Sequence, residues 1–219
     1  MRLAVLASHE GTTLQAILDA IVAGRLSAAV PVVVSNNRDS GALRRARAAG
    51  VPAVHLSSAT HPDPEDLDLA IRETLESARV DLVLLAGYLK KLGAKVLGRY
   101  RGRIVNTHPA LLPKFGGRGM YGSRVHEAVL AAGDSETGVS LHLVDAEYDT
   151  GRVIAQCRVP VLAGESVDGL ASRVQERERE FIVETLTALA ANVDSWRLAN
   201  QGVAADGLLP PCGRSEDRR

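Results

Sequence analysis

Residues 103–113 read RIVNTHPALLP. Ile104 and Val105 have the apolar character of a short buried strand, and Asn106, His108 and Pro109 follow directly. Successive side chains of an extended segment alternate between faces, so Asn106 and His108 point the same way. That sets an amide donor beside an imidazole, the side chain whose ordinary pKa lies nearest neutrality. Pro109 fixes its own φ and turns His108 away from helix, and Pro113 closes the segment, so the strand ends stiffly. Such a strand end is where an open α/β sheet receives ligands. The pair can hold a carbonyl oxygen and manage a proton. Taken alone, the same residues also suit a turn asparagine and a structural histidine.

The flanking pattern gives the fold. A buried strand over 3–7 precedes a helix marked by Leu14, Ile17, Leu18 and Ile21 at helical spacing. Strands over 31–35 and 53–56 bracket a short helix over 41–49, stopped by Gly50 and Val51-Pro52. Leu67, Ala70, Ile71, Leu75 and Ala78 form the apolar stripe of another helix, ahead of the continuously apolar strand 82–86. Continuous rather than alternating apolarity implies a parallel strand covered on both sides. A short helix carrying His126 follows, then strands over 137–144 and 153–159, and a helix from Ser166 to about residue 191. The expected fold is a Rossmann-like α/β, doubly wound, mostly parallel sheet with helices on both faces and an antiparallel extension around 137–159. One domain over 1–209, ending in a hairpin over 195–198 and 203–209, and a polar tail over 210–219 complete the reading.

Composition narrows the function. Lys plus Arg and Asp plus Glu both total 26, so no overall field recruits nucleic acid or an anionic membrane. Aromatics at 3% leave few platforms for stacking bases. The N-terminal apolar run is too short for a signal peptide, and eighteen consecutive apolar residues occur nowhere, so a soluble, cytoplasmic protein is expected. Cys157 and Cys212 make neither a disulfide framework nor a metal-ligand spacing. The expectation is no metal, small-molecule substrates, and a monomer or homodimer.

Four further segments carry chemistry. Residues 8–13, SHEGTT, link a strand to a helix, where unpaired N–H groups and the helix dipole attract an anion. Gly11, Thr12 and Thr13 are the phosphate candidates; alternatively Thr12 only caps the helix, with Gln15 completing a capping box. Neither a GxGxxG fingerprint nor a Walker lysine is present, which disfavours dinucleotides and nucleoside triphosphates. Leu89, Lys90, Lys91 and Leu92 follow the strand 82–86 at its ligand-binding end. The acidic loop 145–151 could return a carboxylate to His108, and the polar side of 137–144, Ser140 and His142, faces either water or the site. Gln175 and Glu178 share a helix face within a charged run that also reads as a solvated surface. The glycine-rich stretch 116–122 reads as a turned loop over a site or as a connector.

SxxGTTLQA, the SNxxD turn, LAGYLKKL, NTHPALLPK, DxG and RVQERE occur in this order, and together they resemble the folate-dependent formyltransferases. The resemblance implies transfer of the formyl group of 10-formyltetrahydrofolate, the co-substrate, to the amine of 5′-phosphoribosylglycinamide (GAR) in purine biosynthesis. It implies Asn106, His108 and Asp149 as the catalytic trio, with Asp149 keeping His108 charged. Gly11, Thr12, Thr13, Gln175 and Glu178 would hold GAR. Leu89, Lys90, Lys91, Leu92, Asn106, Val144 and Asp145 would line the folate pocket. The chain departs from the family pattern at His9, Glu10 and Thr13 in the phosphate loop, and at Pro64, where an arginine for the folate tail is frequent. A relative acting on an amino sugar, a formyltetrahydrofolate hydrolase and a noncatalytic folate or nucleotide binding module are the alternatives.

Overall fold

The computed structural model describes residues 1–192. Parallel strands β1 (Leu3–Leu6), β2 (Val33–Ser35), β3 (Ala53–His55), β4 (Leu82–Leu85) and β5 (Ile104–His108) lie in the order β3-β2-β1-β4-β5. Beyond β5 the sheet continues antiparallel through β6 (Glu136–Leu143) and β7 (Val153–Pro160). The helices are α1 (Thr12–Val22), α2 (Gly41–Ala48), α3 (Pro64–Ser77), α4 (Ala94–Arg99), α5 (Ser123–Ala131) and α6 (Val167–Ala191).

Alternation within β1 divides the core. Leu3 and Val5 pack with Leu14 and Ile17 of α1, Leu43 of α2, Val129 of α5 and Phe181 of α6. Ala4 and Leu6 pack with Ile71 and Leu75 of α3, with Val96 of α4 and with Tyr100 just after it. Every residue of β1 and of β4 is buried, as strands covered on both faces must be. The mostly parallel, doubly wound sheet with an antiparallel extension is therefore the observed architecture, and strand order reverses between β1 and β4. In such a sheet the crevice beyond the strand ends at the reversal is the ligand site.

Three local features differ from the sequence reading. The helix α4 was not anticipated; six residues are too few to show a period, and its first turn is capped from another helix. Buried Asp68 of α3 accepts from the N–H groups of Lys95 (2.6 Å) and Val96 (3.3 Å). The helix α3 begins three residues before its apolar stripe, because Asp63 caps the N–H groups of Glu65 and Asp66 and Pro64 stands at the first turn. Thr12 does not cap α1. The cap is Gly11 in the left-handed region (φ 69°), and the Gln15 side chain donates to Asp19 and accepts from Arg45, so no capping box forms. The expected hairpin over 195–198 and 203–209, the domain end at 209 and the tail over 210–219 lie outside the described residues.

Candidate functional site

His108 closes β5 and is only 3% exposed. Its Nε2 donates to the Phe115 carbonyl at 2.8 Å, and its Nδ1 lies 3.5 Å from Asp149 Oδ2. Phe115 can present that carbonyl because it adopts φ 58°, a conformation rare for a bulky residue, with the half-buried side chain packed against the core. Asp149 also lies at φ 58°, a region that aspartate tolerates better than most residues. Its Oδ2 accepts the Gly117 N–H at 2.9 Å, and its Oδ1 lies 3.4 Å from His142 Nε2. His142 in turn donates from Nδ1 to the Leu143 carbonyl at 2.8 Å, which leaves Nε2 to accept from the Asn106 amide at 3.1 Å. Asn106, His142, Asp149 and His108 thus form one continuous polar chain. Sequence analysis brought together Asn106, His108 and Asp149 but left His142 undecided between water and the site. The register β5 to β6 settles it, since Asn106 pairs with His142 and His108 with Ser140.

Burial pushes His108 below its usual 6.5, and the opposing pull of Asp149 and of the Phe115 carbonyl does not offset it. This corrects the expectation that Asp149 keeps the ring charged near neutral pH: the resting imidazole is neutral, because removing a cation from water outweighs one carboxylate 3.5 Å away. For Asp149 the balance is reversed. Burial alone would raise its pKa, yet the contact with His142, the hydrogen bond from the Gly117 N–H and the nearby His108 hold it below the ordinary 3.8. The site therefore couples a neutral ring to a firmly ionised acid. His126 is 3% exposed on α5, its Nδ1 without a hydrogen-bond partner. Burial lowers its pKa, and His108 adds to the effect.

The turn after β5 is fixed by Ser140, whose direction the sequence leaves open, and by Gln156, which sequence reasoning missed. Ser140 Oγ donates to the Ala110 carbonyl and accepts from the Leu112 N–H, and Gln156 Nε2 bridges Ser140 Oγ and the Leu112 carbonyl. The 145–151 loop is returned to the site at Gly151, where a Cβ would stand 1.9 Å from the Leu143 carbonyl oxygen.

At the strand-order reversal, buried Ser8 joins three loops. Its N–H donates to the Gly87 carbonyl, its hydroxyl to Asn36 Oδ1, and it accepts from the Leu89 N–H at 2.9 Å. Gly11, Thr12 and buried Thr13 lie beside this knot at the start of α1. Glu10 is turned outward to Arg44, 3.4 Å away, with its side chain largely exposed. On the other side, Leu89, Lys90 and Lys91 are exposed, whereas Leu92 is buried and anchors their loop to the core. Lys91 reaches Glu147 (3.7 Å) and lies over the Tyr148 ring, linking this loop to the 145–149 segment. Val144 is half-buried next to these residues, and the Asp145 carboxylate is used within its own loop by the Glu147 N–H and the Thr150 hydroxyl. On α6, Gln175 is exposed, while the half-buried Glu178 accepts a hydrogen bond from Thr107 on the opposite face of β5. Burial pushes the Glu178 carboxyl up despite that bond. Among the described residues no group of three or more His, Cys, Asp or Glu could hold a metal ion, and no helix is long and apolar enough to cross a membrane.

The sequence model of the formyl transferase family matches residues 1–186. The chain belongs to the formyl transferase family. Among related proteins, a chloroplastic phosphoribosylglycinamide formyltransferase of Vigna unguiculata is 40% identical over 197 residues, covering 90% of this chain. The chain spans 63% of that protein's length. The phosphoribosylglycinamide formyltransferase of Haemophilus influenzae is 37% identical over 217 residues, 99% of each protein. Among solved structures, glycinamide ribonucleotide transformylase 1 from Symbiobacterium toebii matches with a TM-score of 0.81 at 38% identity, covering 88% of each chain. The fold is therefore shared with that solved transformylase.

Proposed function

We propose that this formyl transferase moves the formyl group of 10-formyltetrahydrofolate to the amine of GAR, giving formyl-GAR and tetrahydrofolate. The observation that carries the reading is the Asn106, His142, Asp149 and His108 chain at the end of β5. The similarity to proteins named phosphoribosylglycinamide formyltransferase over nearly the whole chain supports GAR as the amine.

The folate co-substrate supplies the formyl carbon. The exposed Leu89 side chain, the half-buried Val144 and the Lys91 and Tyr148 pair suit a flat heterocycle with a polar edge. Gly11, Thr12, Thr13, Gln175 and Glu178 are assigned to GAR, with its phosphate at the α1 terminus. The amine lone pair forms the new C–N bond at the formyl carbon, and negative charge develops on the formyl oxygen. The Asn106 amide, one hydrogen of which is held by His142, directs its other hydrogen at that oxygen. The proton released by the amine passes to neutral His108, and ionised Asp149 stabilises the resulting imidazolium. The same proton then goes to the departing folate nitrogen as the old C–N bond breaks, so no proton is gained or lost overall. A ring that rests uncharged suits this shuttle better than one already protonated.

The test is turnover of 10-formyltetrahydrofolate with GAR, with an amino-sugar nucleotide, and with no amine. The reading requires formylated GAR at a rate well above the other two. Activity confined to the amino sugar, or formate release independent of any amine, would overturn it.

A further inference from the structure

We propose that Arg45 is a positioning residue for the phosphate end of the substrate site, aiming the N–H groups of the 10–13 loop at the phosphoryl oxygens. The inference rests on the reading that this loop holds the GAR phosphate.

The 8–13 loop carries no lysine to meet an anion. Its shape is imposed from outside, by the first turns of α2. Ala42 N–H donates to the His9 carbonyl at 3.0 Å, and Arg45 Nε donates to the Glu10 carbonyl at 2.9 Å. In a trans peptide the carbonyl and the following N–H point in opposite directions. The bond from Arg45 to the Glu10 carbonyl therefore turns the Gly11 N–H away from α2. A second arm of the same guanidinium, Nη1, donates to Gln15 Oε1 at 3.1 Å, tying the first turn of α1 to the same cation. One half-buried residue thus sets both the peptide that enters α1 and the helix turn that follows it.

The packing leaves little other freedom. Gly11 sits at φ 69°, and a Cβ there would stand 2.7 Å from Ala42 Cα. Thr12, Gln15 and Arg45 also line a cleft of about 750 Å³ between α1 and α6, together with Arg25, Arg179 and Glu180. Arg45 is consequently at the wall of an open space beside the loop. A fixed guanidinium differs here from a lysine, whose point charge cannot hold two acceptors in one plane.

The experiment compares wild type, Arg45→Met, Arg45→Lys and Arg47→Ala, measuring kcat and KM for GAR, for its dephosphorylated riboside and for 10-formyltetrahydrofolate. Arg47 is an exposed cation of the same helix and controls for charge alone. Wild type should prefer GAR to the riboside by at least about a hundredfold in kcat/KM. Arg45→Met should raise the KM for GAR roughly tenfold to a hundredfold, with kcat at saturation, the folate KM and the riboside kcat/KM held within about threefold. Those retained values also show that the variant is folded. Arg45→Lys should recover only a minor part of the loss, and Arg47→Ala should match wild type. A wild type indifferent to the phosphate overturns the phosphate reading and this proposal with it. A wild type that prefers GAR, beside an Arg45→Met variant with an unchanged GAR KM, overturns the role of Arg45 alone. Equal recovery by Arg45→Lys, or an equal loss in Arg47→Ala, reduces the effect to net charge and equally rejects the positioning role.

Discussion

Replacing Asp149 with Asn removes one charge while keeping an oxygen for the Gly117 N–H, so it isolates the electrostatic support given to His108. The carboxylate lies 3.5 Å from Nδ1. Coulomb's law at that separation gives about 1 kcal/mol at a dielectric constant of roughly 80 and about 5 kcal/mol at an effective value of roughly 20. Both atoms are largely shielded from solvent, so the upper part of that range applies. If an imidazolium forms in the transition state, its lost stabilisation lowers kcat by roughly tenfold to a few thousandfold. GAR affinity should change little, because the phosphate loop lies on β1 rather than on the 145–149 loop. Two readouts are needed: steady-state kcat and KM, and NMR titration of the His108 ring. Since Asp149 pulls the His108 pKa upward, the titration of the variant should move to lower pH. Near-wild-type kcat, or a His108 titration that stays or rises, would refute the reasoning.

Acid should destabilise the fold through its buried neutral histidines. His108 and His126 both have folded pKa values below 6.5, so above that pH neither state binds the proton and their contribution is fully present. As pH falls below 6.5 the unfolded chain takes up protons first, and stability drops until the folded values are reached. Tm measured from pH 7.5 to 5 should therefore fall, and His126→Leu should reduce the slope by up to about 1.4 kcal/mol per pH unit; an unaltered slope would exclude His126 as a contributor. Gly151→Ala drives a Cβ against the Leu143 carbonyl and should destabilise by roughly 1–3 kcal/mol while displacing Asp149, read as a lower Tm with reduced kcat. An unchanged Tm would show that the loop yields without resistance. Ser8→Ala leaves the Leu89 N–H and Asn36 Oδ1 without their shared partner and should destabilise by about 1–3 kcal/mol and raise the folate KM, measured by thermal melts and kinetics. Unchanged folate KM would remove Ser8 from the account of that wall.

The sheet was legible because its signals were long or repeated: the apolar run at 82–86, the helical stripe at 67–78 and the alternation at 137–144 each exceed one period. The trio was legible from NTHP and the acidic loop, with resemblance supplying the pairing. What escaped depended on register or on remote partners. His142 could not be placed because a one-residue slip of β6 would turn it to the other face. Ser140 and Gln156 act by bonding a turn 28 and 44 residues earlier in sequence, and the cap of α4 comes from Asp68 on another helix. The resting charge of His108 was misread because the acidic loop and the resemblance point to its acid partner but not to the depth of its burial.

Transfer of an isotope-labelled formyl group from 10-formyltetrahydrofolate, followed by mass spectrometry of the products for wild type and His108→Ala, addresses the central claim most directly. The label should appear on the GAR amine in equal yield with tetrahydrofolate, and the variant should be slower by at least about a hundredfold. Label recovered as formate, or delivered to GAR equally well without the imidazole, would contradict the account.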